Sequence, residues 1–340
     1  MVDVDAADEA RDARGDWRPA EPIALPPTIA WPPRFGATLK WLFGFPGYLW
    51  PMNALWLAIS LVTWFFLTPD LESMRTFEPW WIALILARNL ALVLALFGGL
   101  HLYLYVFKGQ GDTTKFSSKP LATGSRRFLF SNQVHDNIAR SLAGGVPVIT
   151  AYEALTYWAF ANGHVGFAGF DTSPIWFWAW FSVLLLAAPV IHAVHFYFTH
   201  RLLHWRPLYR SVHHVHHLNI EVGPWSGLAM HPAEQLLYFS TVVVPWLLAP
   251  HPLVALFQIH IAAFSPALGH SGFDKLLIGG RLGVDSGNYF HYLHHRYFEC
   301  NYGGSVAPLD KLFGTFHDGS RAAHAAMHAR MRARHGAVGA

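Results

Sequence analysis

The stretch Ile175 to Thr199, "IWFWAWFSVLLLAAPVIHAVHFYFT", runs apolar for long enough to cross a bilayer and passes directly into "HRLLHWRPLYRSVHHVHH". A helix needs about 20 apolar residues to traverse roughly 30 Å of hydrocarbon, and three more runs meet that length: Trp50 to Thr68, Trp81 to Phe107 and Val146 to Asn162. A fifth apolar region, Leu236 to Phe264, carries "VVPWLLAPHPLV" at its centre. Its prolines and histidine predict a helical hairpin or re-entrant turn instead of a simple span. Charged residues are only 13% of the chain and apolar residues 53%, against about 25% charged in ordinary soluble domains. The expected fold class is therefore all-α: a multi-pass transmembrane bundle of four spans plus a hairpin.

Loop charge orients that bundle. Lys108, Lys115, Lys119, Arg126, Arg127 and Arg140 lie between the second and third runs, and Arg201, Arg206 and Arg210 follow the fourth. The other two loops hold Arg75 alone. Because Lys and Arg collect on the cytoplasmic side, the N-terminus and the histidine-rich segments are expected to be cytoplasmic. The first residues lack a basic and an apolar signal region, so no cleaved leader is expected, and residues 1–40 read as a disordered tail. Residues 41–318 read as the membrane-embedded domain, and 319–340, rich in Ala, Arg and His, as a basic helical tail.

A formal charge of +3, scattered among apolar runs, gives a nucleic-acid partner no support. Cys300 is the one cysteine, which excludes an internal disulfide, a CxxC pair and a cysteine-held iron–sulfur cluster within this chain. Any electrons must come from an external donor.

The histidines carry the chemistry. His200 and His204 form HxxxH, His213, His216 and His217 form HxxHH, and His291, His294 and His295 form a second HxxHH. In a helix, positions i, i+3 and i+4 share a face, so each box offers its imidazoles together. Imidazole suits iron, zinc and copper, and eight nitrogen donors exceed one coordination sphere, so two metals are expected. A carboxylate-type two-iron site needs Glu-x-x-His pairs, and no Glu here precedes a His by three residues. His231 in "HPAE" and His270 in "HSGFD" are further candidates. His192 and His195 read as packing or hydrogen-bonding residues inside the fourth run, His214 as a surface residue, and Cys300 as a packing residue. Asp274, Asp285, Asp310 and Glu234 are candidates to orient ligand rings.

These phrases together resemble the fatty acid hydroxylase superfamily, which includes sterol desaturases and sterol C4-methyl oxidases. The resemblance covers roughly Phe198 to Asp318 and includes "HHVHH", "MHPAE", "GHSGFD", "HYLHHRYFECNYGG" and "LDKLFGTF". It implies a membrane non-haem di-iron oxygenase acting on a lipid (sterol, fatty acyl or related) with O2. The ligand role would carry over to His200, His204, His213, His216, His217, His291, His294 and His295, with His270 as the extra ligand and His231 a possible additional one. Nothing resembles the "HPGG" of a fused cytochrome b5, so a ferredoxin or cytochrome b5-type reductase system is the implied electron source. Hydroxylation and desaturation both remain open. A metal transporter or sensor is the competing class, and it predicts ionisable residues along the spans.

Overall fold

The computed structural model describes residues 11–12, 15–166, 174–278, 282–286 and 289–338. Among the described residues four helices are long and apolar enough to cross a membrane: α2 (Leu49–Phe66), α3 (Pro79–Val106), α5 (Pro174–Leu203) and α9 (Pro252–Gly269). A short helix α1 (Phe35–Phe43) precedes them, and α4 runs over 133–161 with a wider π-type turn at Ser141–Gly145. After α5 come α6 (Arg206–Ser211), a 3-10 turn (His213–Leu218), α7 (Pro232–Phe239) and α8 (Val243–Leu248). The chain closes with the hairpin β1 (Lys275–Ile278) and β2 (Leu282–Asp285), then α10 (Tyr289–Tyr297), α11 (Leu309–Leu312) and α12 (Arg321–Val338).

The set of four differs from the expected one in a single member. Residues 146–161 are helical, but Thr150, Glu153 and Thr156 are buried there and interrupt the apolar run. In its place stands α9, drawn from the proline-containing region read as a hairpin. The chain leaves α8 at Leu248, bends at residues 250–251, and restarts with Pro252 at the first helical position, where a missing N–H costs nothing. α9 is the axis of the bundle: it packs against α2, α4 and α5 and buries nearly its whole length, with Phe257, Ile259, Ala263 and Phe264 meeting Trp56, Phe97 and Ala188. At about 1.5 Å per residue, the 30 residues of α5 are longer than the hydrocarbon is thick; His200 stands in its last turn and His204 directly follows it.

The bundle interior holds a polar network that joins four helices. Arg88 of α3 donates to Glu153 of α4 and to Asn89 Oδ1, and Asn89 Nδ2 donates to Thr150 Oγ1 at 3.2 Å. His260 of α9 places Nε2 3.7 Å from Glu153 Oε1, and its Nδ1 lies 2.8 Å from Ser60 Oγ. All are buried, which in lipid requires internal partners.

Outside the membrane layer, much of the segment expected as an N-terminal tail lies on the cap. Trp17 is buried against Phe116, Asp16 pairs with Arg296 at 3.2 Å, and Ile23 N–H donates to Asp318 O. Residues 1–10 and 13–14 of that segment lie outside the described residues. α12 also docks: Met327 is buried, and the His324 ring meets the Tyr297 hydroxyl at 2.6 Å.

Removing one member of the buried ion pair leaves the other charge uncompensated. Arg88→Ala is expected to destabilise the detergent-solubilised protein by about 3–5 kcal/mol, and a double Arg88→Met, Glu153→Leu variant to recover most of that loss. Thermal inactivation monitored by monodispersity on gel filtration checks both.

Candidate metal centre

Nine histidines converge in two adjoining groups. His200, His204, His213, His217 and His294 form one; His216, His270, His291 and His295 form the other. Every residue of the three boxes is present, together with His270, which α9 places at its C-terminus. His231 stands outside both groups: its Nδ1 accepts from Ala233 N–H and caps α7. His214 is exposed. His195 lies 2.9 Å from Ser240 Oγ, and His192 packs on Tyr238.

The boxes do not each serve one face. His213 and His217 join the first group and His216 the second, while His294 joins the first and His291 and His295 the second. The first HxxHH is a 3-10 turn, not an α-helix. Three residues per turn stack the His213 and His216 rings in near-parallel planes 5.6 Å apart.

The donor atoms fit metal ions. Within the first group the Nε2 pairs His200–His213, His204–His213, His204–His217, His204–His294 and His217–His294 are each 3.1 Å apart, and His213–His217 is 3.0 Å. Within the second, His270–His295, His270–His291 and His291–His295 are 3.1 Å and His270–His216 is 3.4 Å. Imidazoles bound at about 2.1 Å, at right angles round one ion, sit about 3.0 Å apart. Without a cation these lone pairs would face one another in a buried site.

Second contacts fix which nitrogen faces inward. His200 Nδ1–H donates to Tyr302 O at 2.6 Å, His294 Nδ1–H to Cys300 O at 2.7 Å, His213 Nδ1–H to Glu234 Oε1 at 2.7 Å, and His270 Nδ1–H to Pro266 O at 3.3 Å. A proton held on Nδ1 leaves the Nε2 lone pair for a metal. The sequence "ECNYGG" explains two of these acceptors. Asn301 has φ +53°, a left-handed conformation that Asn tolerates, and it directs the carbonyls on either side of it towards the site. Its amide is held by Phe290 O and His317. Asp310, read as a ring-orienting candidate, acts on this loop by accepting from Tyr302 N–H and Gly303 N–H at 2.8 Å each. A Cβ at Gly303 would come within 3.1 Å of that carboxylate and of Tyr197. Asp274 and Asp285 belong to the β-hairpin, where Asp285 pairs with Lys275 at 3.9 Å.

Burial sets the electrostatics. Desolvation, reinforced by neighbouring imidazoles, pushes His204 and His216 down to about 3 and holds His213, His217, His270, His291, His294 and His295 well below the ordinary histidine range. The rings are neutral at physiological pH, as ligation requires. Burial likewise pushes the Glu234 carboxyl up. Five of the nine rings (His200, His213, His216, His270 and His291) also wall a cavity of about 290 Å³, whose other walls include Phe196, Met230 and Ile261. The carbonyl partners and the splitting of the boxes were missed in the sequence; the only trace of the former was the "NYGG" and "LDKLFGT" wording itself.

Residues 184–315 match the family model described as fatty acid hydroxylase. A Delta(7)-sterol-C5(6)-desaturase of Nicotiana tabacum is 34% identical over 146 residues, 41% of this chain and 52% of that protein. The methylsterol monooxygenase erg25A of Aspergillus fumigatus is 35% identical over 133 residues, 35% and 42% of the two chains. A very-long-chain aldehyde decarbonylase of Oryza sativa subsp. indica is 34% identical over 128 residues, 36% and 48%. The chain thus spans about half the length of the curated relatives it matches. No solved structure gives a significant match.

Single-ligand variants separate the two groups. Metal analysis is expected to show that His204→Ala loses the ion of the first group, that His270→Ala loses that of the second, and that His231→Ala retains both. Glu234→Ala, which removes the His213 partner, is expected to lower metal affinity by roughly 10–100-fold in chelator competition. All nine histidines and their carbonyl and carboxylate partners fall within the one stretch, residues 184–315, that matches the fatty acid hydroxylase family model.

Proposed function

We propose that this protein is an integral-membrane oxidoreductase that hydroxylates a C–H bond of a lipid, with two iron ions held by the nine grouped histidines, O2 as oxidant and electrons from an external donor. The observation that carries the reading is the shared wall. Five of the nine rings border the apolar cavity, so a hydrocarbon placed there lies against the donor atoms with water excluded. A transport path would need the ionisable groups strung along the spans. The Arg88–Glu153 pair is instead buried in a network with Asn89, Thr150, His260 and Ser60 that ties the helices together.

Two iron ions held there would supply O2 activation and the oxidising equivalents for an unactivated C–H bond. The chain's own residues do the rest. Tyr302 O, Cys300 O, Pro266 O and Glu234 hold protons on Nδ1 and keep the rings from rotating. Phe196, Met230 and Ile261 bind hydrocarbon and keep out water. One oxygen atom enters the lipid and the other leaves as water, with two electrons and two protons taken up. No cysteine cluster is available to store those electrons, which supports a ferredoxin or cytochrome b5-type reductase system. The basic 108–140 segment lies on the side of the histidines, since Lys115 bridges to Phe273 three residues after His270. That arrangement, with the positive-inside tendency, supports a cytoplasmic histidine cap and N-terminus.

Desaturation by the same site is the second reading, favoured by the sterol desaturase among the similar proteins. A displacement of the substrate by about an ångström is enough to change which hydrogen is removed next. Lipid mass spectra of cells expressing the wild type or His294→Ala, with a ferredoxin and its reductase co-expressed, test both. A lipid gaining one oxygen only in the wild type is expected. Loss of two hydrogens instead would establish desaturation, and identical profiles would overturn the oxidoreductase reading.

A further inference from the structure

The loop 123–132, which leads into α4, is closed at its base. Ala122 N–H donates to Gln133 Oε1 at 2.8 Å, Gln133 N–H donates to Ala122 O at 3.0 Å, and Thr123 bridges to Asn132. Its tip is strained. Phe130 and Ser131 both have left-handed backbones, φ +59° and +52°, a conformation costly for a bulky side chain and kept only where neighbours over-determine it. Leu129 N–H donates to Asp136 Oδ1 at 3.1 Å, and the buried Asp136 accepts from Arg140 Nε on both oxygens at 3.0 Å. Phe128 is buried, whereas Leu129 and Phe130 are 48% and 73% exposed, next to the exposed Arg126 and Arg127.

The segment that follows the first HxxHH sets the height of this loop. Gln133 Nε2 donates to Asn219 Oδ1 at 2.8 Å and to Glu221 O at 2.6 Å, and Asn137 Nδ2 donates to the same Asn219 Oδ1 at 2.8 Å. The last turn of α3 is tied to that segment too, with the Tyr105 hydroxyl 3.0 Å from Val222 O. Beside Tyr105, at the end of the span, Val106 and Phe107 are 56% and 73% exposed. The loop therefore stands at the level where α3 leaves the hydrocarbon. At that level an apolar pair meets acyl chains and a neighbouring arginine meets anionic headgroups.

We propose that residues 126–130 are a leaflet anchor: Leu129 and Phe130 enter the acyl boundary on the histidine side, and Arg126 and Arg127 hold lipid phosphates. An acidic protein would complement the arginines alone, while a bilayer takes the apolar pair as well, at a height where the chain already meets it. Asn219 joins the anchor to the metal centre, since its backbone N–H and its Nδ2 both donate to His216 O at 3.2 Å. The inference stands apart from the lipid-oxidising reading and holds for any chemistry at the histidines.

The test uses the full-length protein in nanodiscs of phosphatidylcholine and phosphatidylglycerol. Cys300, the one cysteine, is buried, so Phe130→Cys supplies a single accessible thiol for a nitrobenzoxadiazole fluorophore, and wild-type protein checks that Cys300 takes none. The fluorophore is expected to be quenched by phosphatidylcholine carrying a doxyl group near its headgroup and to be protected from iodide in the water. Most of that protection is expected to disappear when Arg126→Glu and Arg127→Glu are added or phosphatidylglycerol is left out. Leu129→Cys gives the same reading should Phe130→Cys behave poorly on gel filtration. Iodide quenching without doxyl quenching would overturn the anchor. Protection that arises only on adding a plant-type ferredoxin would overturn it as well and make the loop a protein-docking surface, and doxyl quenching indifferent to both charge changes would overturn the phosphate contact.

Discussion

Nine imidazole nitrogens gathered in two groups, with neighbours in each about 3 Å apart, away from water, form an arrangement that a cation stabilises and that little else would. Burial depresses the proton affinity of the eight rings outside the spans, so protonation does not relieve the crowding. The surrounding structure answers this constraint. Carbonyls at residues 266, 300 and 302 and the carboxylate of Glu234 take the outward-facing N–H groups, and the left-handed Asn301, pinned on both sides of its amide, keeps two of those carbonyls in line.

The membrane part serves the same centre in a different way. α5 and α9 both end at the cap, one contributing His200 and His204 and the other leading into His270. Their relative position sets whether the two groups meet. Inside the bundle, α9 is held to α2 through Ser60 and His260, while Arg88 and Glu153 tie α3 to α4. Polar groups in hydrocarbon are costly when unpartnered and correspondingly specific when partnered, so this network fixes helix register far from the histidines it supports.

Much of the architecture was legible in the residues themselves. Apolar run length located α2, α3 and α5 to within a few residues, because span length is a property of the bilayer. It failed at 146–161, where Glu153 and two buried threonines are accommodated by partners on other helices, and at α9, whose prolines signalled a turn but not which limb would be central. The histidine boxes were legible because ligand types and spacings are local. Their division between two groups was not, since it depends on the 3-10 winding of residues 213–218 and on how α10 meets α5. His231 shows the limit of spacing arguments: the same imidazole that fits a ligand pattern fits a helix cap equally well.

The division of the boxes has a mechanical meaning. His216 and His217 are neighbours in the chain yet serve different groups, as are His294 and His295. Consecutive Cα atoms are held about 3.8 Å apart by a planar peptide, a spacing no side-chain repacking alters. The two halves of the centre are thus joined at two places by a covalent ruler. Neither half can drift or be retuned by loop exchange without dragging the backbone of the other.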